Sequence, residues 1–182
     1  MKRLFLLLLS LLTLSLCLFS CKNDGSEYDL NGKGGFSSFV STDLDGNKVD
    51  GSVFRGRKLT MINIWATYCG PCLREMPDLE KLSKEYGDDF QIIGIITDVS
   101  DRNFNVVPSQ KAAAERILSL TGATYLQLTP SQSLYEIYLN TVTAVPVTVF
   151  VDENGLTVGE YVGSRNFNSW KTVIDSMLEK TK

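Results

Sequence analysis

The chain has 182 residues, with 18 basic and 21 acidic side chains, no histidine and four cysteines. A formal net charge of −3 carries no basic footprint, which argues against nucleic acid as a partner. A C-x-x-C pair would need two further ligands to hold zinc, and this chain lacks the histidines to supply them.

Lys2-Arg3 open the chain, Leu4 to Phe19 is almost wholly apolar, and Leu18-Phe19-Ser20-Cys21 follows. The run falls short of the about 20 residues that comfortably span a bilayer, and its layout looks like a bacterial lipoprotein signal. Residues 1–20 are then a cleaved leader and Cys21 the lipidated N-terminus; an uncleaved, tilted anchor is the alternative. Either arrangement puts the domain outside the cytoplasm, attached to a membrane. Loss of the leader, with Lys2 and Arg3, leaves 162 residues and a formal charge of −5, enough chain for one domain. Residues 21–35 are polar and glycine-rich and read as a flexible tether. Residues 36–182 form the domain.

Within it, Phe36–Thr42 and Lys48–Phe54 flank the turn-rich Asp43-Leu44-Asp45-Gly46-Asn47 and predict a β-hairpin. Leu59–Trp65 is nearly continuously apolar, as in a strand covered on both faces. After the segment Ala66–Cys72, apolar residues at Leu73, Met76, Leu79, Leu82 and Tyr86 predict a helix that Pro77 kinks and Gly87 closes. Phe90–Thr97 is a second buried strand, so the strand, helix, strand order implies a parallel pair. A helix over Lys111–Leu120, a strand over Tyr125–Leu128 and a short helix over Ser133–Leu139 come next. Thr143–Val151, with Pro146 near its start, pairs through Asp152-Glu153-Asn154-Gly155 with Thr157–Val162. A last helix over Phe167–Leu178 buries Phe167, Trp170, Val173, Ile174, Met177 and Leu178.

Cys17 leaves with the leader and Cys21 carries lipid, so Cys69 and Cys72 are the thiols left for chemistry. They lie where a strand gives way to a helix. The first thiol then sits at a helix N-terminus, where unpaired N–H groups and the dipole favour thiolate, which makes Cys69 the expected nucleophile. Cys72 lies within disulfide reach one turn later, and Pro71 suits the first helical turn.

Three segments together resemble the thioredoxin fold, and within it the TlpA/ResA branch of thiol-disulfide oxidoreductases. They are Asn63-Ile64-Trp65-Ala66-Thr67-Tyr68-Cys69-Gly70-Pro71-Cys72, Arg74-Glu75-Met76-Pro77, and Val145-Pro146 ahead of the strand that ends at Asp152-Glu153-Asn154-Gly155. The resemblance implies an α/β fold in which a central mixed sheet is flanked by helices, with an added N-terminal β-hairpin and an inserted helix and strand near residues 111–128. It also implies a cis peptide bond before Pro146, packed against Cys69, where Val145 offers backbone groups to a substrate strand. Trp65, Tyr68, Gly70, Pro71, Val145 and Pro146 are the residues assigned to the substrate face, with Trp65 expected to pack near the cysteines and Tyr68 either lining the groove or, the favoured reading, capping the apolar rim.

Asn63 stands where thioredoxin has a buried aspartate, and an amide cannot take the Cys72 proton. The TlpA/ResA pattern places a glutamate three residues after the second cysteine, and Glu75 fills that position. Glu75 is then either the proton acceptor or a carboxylate that steadies the helix dipole. The resemblance further implies a reductase with no cofactor, recharged by a membrane electron donor of the CcdA or DsbD kind. Apocytochrome c, a methionine sulfoxide reductase or a peroxidase are possible clients. Two other readings compete. A peroxiredoxin needs a Pro-x-x-x-Thr/Ser-x-x pattern before its cysteine, and the position seven before Cys69 is Ile62. A redox-silent peptide-binding module would use the groove at Pro146 alone.

Overall fold

The computed structural model describes residues 35–181. The leader, Cys21 and the tether up to residue 34 lie outside the described residues. Among the described residues no helix is long and apolar enough to cross a membrane.

Strand β1 (Val40–Thr42) pairs antiparallel with β2 (Lys48–Asp50), around a turn in which Asp43 Oδ1 accepts from the N–H groups of Asp45 and Asn47, both at 2.9 Å. The paired region is shorter than the sequence predicts. Single 3₁₀ turns replace the outer ends, Phe36–Ser38 and Gly51–Phe54, and they turn Phe36 and Phe54 into the core. Strand β3 (Leu59–Trp65) is buried at every position, lies parallel to β4 (Phe90–Ile96) and antiparallel to β6 (Val147–Asp152). Strand β5 (Leu126–Leu128) extends the sheet beyond β4, and β7 (Thr157–Val162) extends it beyond β6, giving the order β5-β4-β3-β6-β7.

Helix α1 (Gly70–Glu85) continues through Pro77, which has no N–H for the Leu73 carbonyl, and Gly87 follows at φ +62°. Helix α2 (Pro108–Thr121) begins three residues earlier than predicted because Pro108 fits the first turn, and it ends on Gly122 at φ +70°. Helix α3 (Gln132–Ile137) is short, and α4 (Phe167–Lys180) closes the chain with Asn166 capping the Ser169 N–H. Strand β6 starts only at Val147, after the proline rather than at Thr143.

Two-residue alternation sorts the sheet into two faces. Ile62, Ile64, Ile93, Ile95, Val147, Val149 and Val151 point toward the N-terminal hairpin segment and α3. Leu59, Met61, Ile92 and Phe150 point the other way, against Leu79 and Leu82 of α1 and Trp170, Ile174 and Met177 of α4. At the end of that second face Trp65, Cys69, Cys72, Met76 and Ala114 form a third cluster. Asn63 shares a face with Met61 and Trp65, so its polar side chain is aimed at α1.

Candidate active site

Cys69 caps α1: its Sγ accepts from the Cys72 N–H at 3.2 Å, and the two cysteines are disulfide-bonded with Cα atoms 5.3 Å apart. Gly70 and Pro71 form the exposed first turn. The two cysteines are unequally exposed, Cys69 at 4% and Cys72 fully buried. The turn before them is fixed from β4's end, where the Asp98 carboxylate accepts from the Thr67 N–H at 3.0 and 3.1 Å and from the Thr67 hydroxyl at 2.5 Å. Asp98 is 31 residues from Thr67 and looks in sequence like any loop acid. Only the parallel pairing of β3 and β4 brings them together.

The peptide bond between Val145 and Pro146 is cis. Val145 packs against the cluster that holds both cysteines, and it precedes the first paired residue of β6, Val147. Among the described residues its backbone N–H and C=O make no hydrogen bond. They are free for an extended peptide laid beside the disulfide. A cleft of about 360 Å³ opens beside them, lined by Tyr68, Asp98, Phe104, Tyr135 and Val145. Tyr68, 78% exposed, stands at its edge.

Trp65 packs beside the cysteines as expected, but from inside and not on the substrate face. It has no exposed surface, so no client can touch it in this state. Its indole N–H donates to Gln127 Oε1 at 2.9 Å, and its carbonyl accepts from the Thr97 N–H at 2.8 Å, so it backs the cysteines from inside. Gly94 makes the Gln127 contact possible: a Cβ there would come within 2.0 Å of Gln127 Oε1.

Glu75 is 2% exposed. Its Oε1 accepts from Asn63 Nδ2 at 3.1 Å, and its Oε2 accepts from the Trp170 indole N–H at 3.1 Å and the Arg165 backbone N–H at 3.0 Å. Burial pushes its carboxyl above the ordinary value, against the lowering pull of those three donors and of the Arg165 charge. A surface carboxylate steadying a helix end would be solvated; this one is desolvated and held by β3, α4 and the segment between β7 and α4. Asn63 of β3 thus holds the acid that α1 supplies. Trp170 and Arg165 were invisible as site residues in sequence, being 95 and 90 positions from Glu75. Among the described residues no group of three or more His, Cys, Asp or Glu side chains is placed to hold a metal ion.

A sequence profile described as redoxin matches residues 21–174. The chain belongs to the redoxin family. Curated relatives include the thioredoxin-like protein YneN of Bacillus subtilis (strain 168), 27% identical over 132 residues and 72% of each chain. The thiol-disulfide oxidoreductase ResA of Halalkalibacterium halodurans is 28% identical over 127 residues, which is 69% of this chain and 65% of that one. The thiol:disulfide interchange protein DsbE of Vibrio cholerae is 29% identical over 136 residues, 74% of this chain and 66% of its own. A thioredoxin-family thiol:disulfide interchange protein from Chlorobium tepidum TLS superposes with a TM-score of 0.66 at 20% identity, over 80% of this chain and 97% of that structure. This redoxin therefore has the thioredoxin-like fold and is a thiol-disulfide oxidoreductase with Cys69 and Cys72 as its disulfide pair.

Proposed function

We propose that this redoxin is a membrane-tethered, extracytoplasmic reductase of protein disulfides. The observation that carries the chemistry is the asymmetry of the pair: a reachable Cys69 at the N-terminus of α1, a covered Cys72 behind it, and the unpaired backbone of Val145 alongside. In the dithiol form, the Cys69 thiolate attacks one sulfur of a client disulfide, a mixed disulfide forms and the client's other sulfur leaves as thiolate. Cys72 then gives its proton to the Glu75 carboxylate and attacks Cys69. The Cys69–Cys72 disulfide forms, the mixed disulfide breaks, and two electrons have passed to the client. Val145 and Pro146 dock the client strand, with Tyr68, Gly70 and Pro71 as its outer contacts.

Direction follows from the Gly-Pro spacer, which resembles that of strongly reducing thioredoxins at about −270 mV. Outside the cytoplasm no glutathione pool restores the dithiol, so a membrane donor of the CcdA or DsbD kind supplies the electrons. Cys21 carries the lipid that keeps the domain beside that donor, and apocytochrome c, a methionine sulfoxide reductase or a peroxidase are the client types that suit it. Insulin reduction driven by dithiothreitol tests the reading: turnover is expected from the wild type and none from Cys69→Ser. A wild type without turnover, whose cysteines form no disulfide detectable by mass, would support the peptide-binding module instead.

A further inference from the structure

Glu75 is completed by a segment far from its own helix. The Arg165 backbone N–H donates to Oε2 at 3.0 Å beside the Trp170 indole. The Arg165 side chain folds back over the same segment. Its guanidinium carbon lies 4.9 Å from the ring centroids of both Tyr161 and Trp170, and Nη1 donates to the Gly163 carbonyl at 3.0 Å and the Val162 carbonyl at 3.4 Å. Gly163, at φ +85°, donates its own N–H to the Pro146 carbonyl at 2.9 Å. One short segment is therefore bonded to Glu75 through Arg165 and to the cis-proline loop through Gly163, and the guanidinium ties the segment to itself. A planar, multiply donating group between two rings suits that clamp, which a lysine ammonium cannot reproduce.

We propose that Arg165 is a positioning residue: by folding the 162–165 segment it holds a hydrogen-bond donor on Glu75 and fixes the Pro146 loop relative to it. Its effect on the reaction rests on the reading of Glu75 as the acceptor of the Cys72 proton. Glu75 faces neutral donors from β3 (Asn63) and α4 (Trp170), the charge and N–H of Arg165, and the Tyr125 phenol ahead of β5. Asp78 on the same helix is engaged elsewhere, accepting from the Phe167 N–H at 3.1 Å. If the segment loosens, Glu75 loses one charge-assisted donor in a buried site, and its protonated form gains.

Titration of Glu75 by carboxyl ¹³C NMR in the intact domain, alongside the pH profile of mixed-disulfide resolution, tests this. Arg165→Ala is expected to raise the Glu75 midpoint by about one pH unit and to carry the acid limb of the resolution rate with it. Arg165→Lys, which keeps the charge and guards against a misfolded alanine variant, is expected to raise the midpoint as well. An unmoved midpoint in a folded Arg165→Ala overturns the proposal, as does full restoration by Arg165→Lys, which would leave charge alone at work. A midpoint that moves while the resolution profile stays put upholds Arg165's hold on Glu75 and refutes Glu75 as the proton acceptor.

Discussion

Cys69 and Cys72 share a disulfide but differ in what can reach them, and that difference assigns their roles. With Cys72 fully buried, only Cys69 can meet a client. Cys72→Ala is therefore expected to accumulate a client joined to Cys69, and Cys69→Ala to capture none, as read by non-reducing electrophoresis and mass. Asn63 Oδ1 is buried and without a hydrogen-bond partner, so its amide can turn over and accept from the new amide in Glu75→Gln, which lets the fold tolerate that change. Resolution in Glu75→Gln is expected to slow and to lose the pH dependence that the carboxyl imparts; an unchanged rate would remove Glu75 from the mechanism. Since the folded carboxyl lies above its ordinary value of 4.5, its contribution is fully present below 4.5 and is lost as pH rises through the raised folded value. Urea melts between about pH 4 and about pH 8 should show Glu75→Gln gaining on the wild type as pH rises. A gap that stays constant would contradict the raised carboxyl.

Elements whose local pattern and burial agree were legible in sequence. β3 is a run of apolar residues because both its faces are covered, and α1 and α4 show apolar stripes because one face of each is packed on the sheet. Elements that depend on partners were read less well: the ends of the N-terminal hairpin become 3₁₀ turns because Phe36 and Phe54 must reach the core, and β6 begins only where it can pair with β3. The site divides in the same way. Contiguous features such as the C-x-x-C turn and Val145-Pro146 could be read directly, whereas Asp98, Gln127, Arg165 and Trp170 meet the site through sheet pairing and helix packing that no local pattern records. Gly94 shows how strict that packing is. Because a methyl group there would collide with Gln127 across the β4–β5 pair, Gly94→Ala should displace the amide, release the Trp65 indole and cost about 1–3 kcal/mol. Urea denaturation and the Trp65 emission spectrum would register both effects, and a variant with wild-type stability would show that Gln127 is not needed where it stands.

On the scale of the whole molecule, the proposal joins a redox domain to a lipid anchor, and each part has its own test. Wild type should incorporate labelled palmitate and sediment with membranes, while Cys21→Ser should do neither; incorporation that survives the substitution would refute the lipoprotein reading. The fold permits electron flow in either direction. Cys69 and Cys72 can form a disulfide, and the covered Cys72 can displace a client, but the potential of the couple decides whether the protein gives or takes electrons. Equilibrium redox titration of the Cys69–Cys72 pair is the most direct measurement. A reductase has a midpoint close to that of thioredoxin, about −270 mV, whereas a midpoint of about −120 mV would make the protein an oxidant and overturn the proposed direction.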